Sequence, residues 1–431
     1  MLYERWRQIA QEHRNEIALQ HAARGERWTF AQLSAATEAG SELGPVVFPQ
    51  GRDFIFTLLR AWRSGQIVCP LEPGQLPPPQ NQFPAGCAHL KITSATTGEA
   101  RLVAFTGEQL AADAENIVAT MGLRRDWPNL GVISLAHSYG FSNLVLPLLL
   151  HGIPLVLVDS PLPEAVRRAA AGTEAITLAA VPALWRTWYE AKSIPNNIRL
   201  AISAGAPLSL ALEQSVFAAQ GLKLHNFYGS SECGGIAYDA SSTPRVDSTL
   251  AGKPMRNVQL TIGPDGCLQV RGGAVGQTYW PQPEANLASG CFQTSDLAEI
   301  VEGEVYLRGR AGDQIHVAGR KVSPESIERL LLLHPGVREC LVFGTPSLDA
   351  ERTEIIVAAV AARSTLNPES LKQFLLEKVP AWQIPREWMF VKSLETNERG
   401  KLSRAGWRKK YLNLEEEKAT LAKSAAATGS H

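Results

Sequence analysis

Between residues 50 and 240, short apolar runs that stop at Gly, Pro or Asp alternate with helical patterns, and this alternation limits the possible folds more than any other feature. The segments LVLVD (155–159), AITLAAVP (175–182) and RLAISAGAP (199–207) read as buried strands, since a short continuous β-branched or leucine-rich run is covered on both faces. EAVRRAAAG (164–172) and LALEQSVFAAQG (210–221) read as the helices between them, the second closed by Gly221 as its C-cap. Such alternation predicts a layered α/β domain. From about residue 256 the pattern changes to hairpins, with turns expected at Asp265-Gly266 and at Glu302-Gly303. Beyond Arg310 a small α+β unit follows. Ser323-Pro324 and Asn367-Pro368 start its helices, and RECLVFG and EIIVAAVAA are its strands. The expected organisation is a large N-terminal α/β domain with a hairpin-rich subdomain over 1–309, a small mobile α+β domain over 310–413, and a disordered polar tail over 414–431.

Composition narrows the partners. Lys plus Arg equal Asp plus Glu at 42 each, so bulk charge gives no footprint for nucleic acid or an anionic membrane. The six cysteines are scattered, with no CxxC and no histidine at zinc-ligand spacing, which fits buried thiols in a reducing compartment. The N-terminus is charged throughout and lacks the apolar stretch of a signal peptide. The longest apolar run, 144–158, is too short to span a bilayer and is broken by Pro and Gly. A cytoplasmic protein without nucleic-acid or membrane partners is expected.

Several segments carry chemistry. ITSATTGEAR (92–101) places Thr93, Ser94, Thr96, Thr97 and Gly98 on one turn and ends in Arg101. Hydroxyls and backbone N–H groups on a tight loop suit a phosphate chain, although the GxxxxGK[ST] pattern is absent, which argues against a kinase-like phosphoryl transferase. NFYGSSE (226–232) sets an aromatic ring, two serines and a carboxylate around a Tyr-Gly turn. A generic strand-to-loop turn explains Gly229 there, but not an acid beside paired serines. Lys401, in NERGKLSR (397–404), read by itself is a solvated surface charge. His137, in SLAHSYGFSN, read by itself is a satisfied core histidine.

In order and spacing these segments resemble the adenylate-forming superfamily, which includes acyl- and aryl-CoA synthetases, stand-alone adenylation domains and luciferase. The resemblance runs from WTFAQLSAA (28–36) to Lys401, with a shorter stretch before the phosphate loop than the family usually shows. It implies ATP, Mg2+ and CoA or a phosphopantetheine arm as cofactors. A small carboxylic acid and, as acceptor, an acyl carrier protein are the implied partners. Thr93, Ser94, Thr96, Thr97, Gly98 and Arg101 become the phosphate loop. Gly205 and Ala206 floor the adenine and acyl sites, Tyr228 and Gly229 face adenine, and Ser231 binds phosphate. Glu232 holds the metal, Asp296 and Arg310 contact the ribose, and Gly319 lines the path of the thiol. Lys401 neutralises charge as the mixed anhydride forms, and His137 is the gate beside the acyl pocket. Tyr139, Phe141, Asn143, Asn226, Phe227 and Cys233 are its lining.

The implied reaction joins a carboxylate to AMP and then passes the acyl group to a thiol. Ser138 stands where amino-acid-activating relatives carry an Asp, and an unpaired buried ammonium is costly, so α-amino acids are disfavoured and aromatic or fatty acids expected. Three departures from the family, Ala95, Arg101 and Gly312 at the hinge position, leave one alternative: a non-catalytic nucleotide-binding homologue that regulates or scaffolds.

Overall fold

The computed structural model describes residues 1–38, 44–72, 74–78, 82–93, 101–317, 319–347, 354–362, 366–395 and 402–428, with the side chains of Arg52 and of 418–428 set aside. Among these, 1–294 with 299–307 form a large compact unit, and 295–298 with 308–428 a small one.

Parallel strands form where the sequence runs continuously apolar. In the large unit Ile17–His21, Leu155–Leu157, Asn129–Gly131, Ile176–Ala180, Ile198–Ser203 and Leu224–Ser230 lie side by side in that order, all parallel. Leu130, Leu178, Ala201 and Leu224 supply one covered face. Trp185, Trp188, Val166 and Val216 pack onto it from the intervening helices. Trp185 and Trp188 meet edge to face at 5.2 Å, and Trp185 Nε1 donates to the Ile202 carbonyl. The helix Leu210–Gln220 is capped by Ser209 and closes at Gly221, at φ 65, the C-cap its sequence predicts.

After Ser230 the sheet turns antiparallel, through Gly234–Tyr238, Leu250–Pro254, Glu304–Arg310, Cys291–Val301, Cys267–Arg271 and Gln259–Ile262. The expected hairpin turns stand at both places, with Glu302 and Gly303 at φ 51 and 79. A second sheet runs Thr278–Trp280, Leu102–Phe105, His89–Ile92, Ile67–Val68, Val46–Val47. Its strand Leu102–Phe105 leads into the helix Gly107–Met121, which Thr106 and Gln109 start with a reciprocal capping box.

The small unit packs the helices Pro324–Leu331 and Pro368–Leu376 on a sheet of Val337–Pro346, Glu354–Ala362 and Glu387–Val391. Asn367 caps its helix by accepting from Ser370 N, as expected. Ser323 occupies the N-cap position but does not cap, because its Oγ donates to Glu325 instead. The end of the chain also differs from expectation. Arg404–Thr428 is a single helix where a disordered tail from 414 was expected. Its first turns are anchored by buried Trp407 and Tyr411, and Leu, Glu, Lys and Ala then continue it as strong helix formers. Among the described residues no helix is long and apolar enough to cross a membrane.

Candidate functional site

Strand Leu224–Ser230 carries the NFYGSSE segment out of the parallel sheet and folds back at Gly234. Two glycines make that return possible. A Cβ on Gly229 would lie 2.6 Å from the Gly234 carbonyl, and Gly234, at φ +68, has Asp113 Oδ1 2.0 Å from its Cβ position. At the foot of the strand lies a buried charge cluster. Lys223 Nζ donates to Glu213 and, at 2.6 Å, to Asp239, while Arg245 Nε donates to Glu213 Oε2 at 2.9 Å. Arg245 and Asn226 both donate to the Leu250 carbonyl, which fixes the first residue of the segment. Phe227 points inward and meets Tyr139 at 6.0 Å, and Tyr228 is half-buried.

Glu232 is held on three sides. Its N–H donates to Ser230 Oγ, its carbonyl accepts from Gly276 N at 2.8 Å, and its Oε1 accepts from Tyr279 Oη at 3.1 Å. Burial and the neighbouring carboxylate push the Tyr279 hydroxyl well above its ordinary value, so it stays a donor. The Arg101 guanidinium lies 4.5 Å over the Tyr279 ring and pairs with Glu284. Thr93 closes the stem of the expected phosphate loop. Its Oγ1 donates to the Arg101 carbonyl at 3.1 Å and accepts from Arg101 N at 3.2 Å. Ser94, Thr96, Thr97 and Gly98 lie outside the described residues.

The gate segment is built on an irregular helix. His137 Nδ1 accepts from Tyr139 N and starts a short turn, Ser138–Gly140, which continues as a π-helical turn over Phe141–Val145. Gly140 fits because a Cβ there would collide with the Ser134 carbonyl at 2.0 Å. Ser138 Oγ donates to Ser231 Oγ at 2.8 Å, joining the gate to the NFYGSSE turn. The expected lining residues divide. Tyr139 and Asn226 are half-buried, and Asn143 donates to the Tyr139 carbonyl from a buried position. Phe141 instead packs the interior, tilted against His89 at 4.3 Å and edge-on to Phe54, because the π-turn rotates it toward the second sheet. Cys233 is also buried, its thiol held by Ser230 Oγ and pushed upward in pKa by burial. Gly205, at φ 83, and Ala206 are exposed after the strand Ile198–Ser203.

In the small unit Asp296 Oδ1 pairs with Arg310 Nε at 3.1 Å, so the two residues expected at the ribose are within reach of one another. Gly312 has open space where a Cβ would be, and Gly319, at φ +75, turns the hairpin Ile315–Val317/Arg320–Val322 into open space. Arg404 gathers three carboxylates, with Asp313 at 3.0 Å and Glu325 and Glu328 at 2.9 Å. Lys401 lies outside the described residues.

Four residues escaped the sequence reading. Tyr279 sits in TYWP, a run that looks like ordinary strand, and Glu284 stands in a loop. Lys91, inside the apolar strand HLKI, and Asp113, on the buried side of a helix, did leave a signal: a charge where burial is expected.

Residues 70–290 match the AMP-binding enzyme family, just over half of the chain, and 326–401 match the AMP-binding enzyme C-terminal domain. Among curated relatives, the anthranilate–CoA ligase of Pseudomonas aeruginosa is 29% identical over 376 residues, covering 78% of this chain and 70% of that protein. The 2,3-dihydroxybenzoate–AMP ligase of Bacillus subtilis is 27% identical, covering 78% of this chain and 66% of its own length. Among solved structures, ATP-bound MatB from Rhodopseudomonas palustris superposes with a TM-score of 0.83 at 19% identity, over 95% of this chain and 99% of that one, which shows the same fold. The chain belongs to the AMP-binding enzymes, the adenylate-forming superfamily.

Proposed function

We propose that this chain is an AMP-forming ligase that activates an aromatic or fatty carboxylic acid with ATP and passes it to a thiol. The observation that carries the reading is the joining of three site segments in the large unit. Glu232, Tyr279 and Arg101 form one contact chain beside the Thr93 stem, and Ser138 ties Ser231 to the gate. In the first half-reaction a carboxylate oxygen attacks the α-phosphorus, a P–O bond breaks, and pyrophosphate leaves with its electron pair. In the second a thiolate attacks the acyl carbon of the adenylate and AMP leaves. Neither step needs a side-chain nucleophile, so the protein contributes orientation and fixed charge.

Glu232 Oε2 has no hydrogen bond among the described residues, and a single hard oxygen ligand fits Mg2+, which takes its other ligands from phosphate and water. Among the described residues no cluster of three His, Cys, Asp or Glu could hold a metal unaided, which agrees with that division. Bound there, Mg2+ would neutralise phosphate charge. Arg101 is poised to exchange Glu284 for a phosphate oxygen, and Lys401 is assigned to the charge that develops on the α-phosphate. The thiol is that of CoA or of a carrier-bound phosphopantetheine, with Gly319 beside its path. Aromatic acids are favoured because the two relatives above act on anthranilate and 2,3-dihydroxybenzoate. Ser138 also offers no carboxylate for an α-ammonium.

Pyrophosphate exchange into ATP tests the reading against a panel of benzoates, cinnamates, fatty acids and amino acids. Exchange that depends on an aromatic or fatty acid supports it. No exchange with any acid leaves the non-catalytic homologue as the better account, and strongest exchange with an amino acid overturns the pocket assignment. Lys401→Ala is expected to lower exchange by roughly 10²-fold or more while sparing thiolysis of supplied acyl-AMP.

A further inference from the structure

An ion pair lies behind the nucleotide segments of the large unit, and the proposed chemistry does not use it. Lys91, on the strand His89–Ile92, and Asp113, on the helix Gly107–Met121, each have side chains 2% exposed, with Nζ 3.5 Å from Oδ2. Ser142, in the π-turn, donates to the same Oδ2 at 2.6 Å and accepts from Lys91 Nζ at 3.3 Å. Gly235 N donates to Asp113 Oδ1 at 3.2 Å, and the ammonium also lies 4.6 Å over the Phe105 ring.

Stability is a poor account of this arrangement. Taking two charges out of water is expensive, and well-packed apolar residues of similar volume often stabilise as much or more. What the pair does supply is connection. Lys91 precedes Thr93 by two residues at the stem of the phosphate loop, Ser142 follows the gate turn Ser138–Gly140, and Gly235 stands three residues after Glu232. One carboxylate therefore takes hydrogen bonds from three segments that border the site. All three side chains are at most 3% exposed, so they cannot themselves receive a ligand.

We infer that Lys91, Asp113 and Ser142 are positioning residues of the adenylation step, holding the phosphate-loop stem, the gate turn and the Glu232 turn at one mutual spacing. The inference rests on the activity proposed above. Since a displacement of about 1 Å can slow a reaction about 100-fold, a loosened network lowers turnover more than it weakens binding.

Two variants test it by pyrophosphate exchange and thermal unfolding. Ser142→Ala removes one strand of the network without stranding a charge. The paired variant Lys91→Met with Asp113→Asn removes both charges together, keeps an amide oxygen for Gly235 N and turns an NH2 donor toward Ser142, whose hydroxyl can accept it. In Ser142→Ala the unfolding midpoint is expected to fall by no more than about 4 °C. The exchange kcat should fall about tenfold or more while KM for ATP stays within about threefold, the signature of an interaction realised in the transition state. The paired variant should show the same split. A folded Ser142→Ala that turns over at the parental rate overturns the inference, whether or not the paired variant folds. So does a loss confined to KM. Absence of exchange in the parental protein overturns the activity reading and this inference with it, whereas parental exchange with unaffected variants overturns the inference alone.

Discussion

Each unit buries a cluster of charges, and the two are balanced differently. In the large unit two acids, Glu213 and Asp239, meet two bases, Lys223 and Arg245, with all four side chains at most 6% exposed. In the small unit one base, Arg404, faces three acids, Asp313, Glu325 and Glu328. With three acids to one base, the second cluster has reason to take up a proton, and burial pushes the Glu328 carboxyl up to about 7 although Arg404 beside it pulls the other way. The positions of the clusters give the contrast a use. The balanced one braces the strand that presents Tyr228, Ser231 and Glu232. The unbalanced one joins the start of the last helix to Asp313, next to Gly312.

The strongest way to break the comparison is to unbalance the first cluster. Lys223→Met leaves Glu213 sharing Arg245 and strips Asp239 of its cation, with both carboxylates still buried. The expected loss is about 3–5 kcal/mol of stability, the scale of removing one partner from a buried pair. Chemical unfolding followed by tryptophan fluorescence reports this directly, because Trp185 and Trp188 lie in the large unit's core. A loss under about 1 kcal/mol would place the cluster among ordinary surface pairs and remove its bracing role.

Next in size is a pH effect in the small unit. The folded value for Glu328, about 7, lies above its ordinary 4.5, so the folded state holds this proton more tightly. Its contribution is fully present below about pH 4.5, declines as pH rises toward 7, and is gone above that. With the side chain 15% exposed, the swing is on the order of 2 kcal/mol rather than the full shift. Glu328→Gln, which stays neutral, is expected to flatten the stability profile between pH 5 and pH 8. An unchanged profile would mean that the three acids share Arg404 without a proton among them.

These clusters mark where the sequence could be read and where it could not. The parallel strands, the Gly221 cap and the two hairpin turns were legible because each depends on a local pattern of burial or backbone angle. The segments NFYGSSE and SLAHSYGFSN could be singled out in the same way, and their glycines Gly229 and Gly140 answer to close contacts that admit no Cβ. The direction of Phe141 was not legible, since it opens a π-turn whose next residue, Ser142, is held by Asp113, 29 residues away in sequence. Ser323 misled for a similar reason. It has the residue type and position of a cap, but Glu325 competes for its hydroxyl. Lys91 and Asp113 could be suspected one at a time, yet nothing in the sequence pairs them.

The smallest expected effect concerns the half-exposed edge of the site, where charges sit neither balanced nor buried. Arg101 is paired with Glu284 at 47% and 45% side-chain exposure, and an exchangeable cation suits a group that must meet an incoming phosphate. Tyr279 is the fixed element of that edge. Its ring carries Arg101 and its hydroxyl holds one oxygen of Glu232. Tyr279→Phe keeps the ring and deletes only the hydroxyl, so Arg101 keeps its stacking surface while Glu232 loses the group that orients it. A hydrogen bond to a charged acceptor is worth about 1.5–3 kcal/mol when buried, and Glu232 is only partly so, which points to about a tenfold loss in exchange. Because the freed carboxylate must be ordered by the metal instead, the Mg2+ concentration for half-maximal exchange should rise together with that loss. A slower variant with parental Mg2+ dependence would put Tyr279 in service of Arg101 alone. A variant with both unchanged would mean that the 3.1 Å hydrogen bond has no part in holding Glu232 for its work.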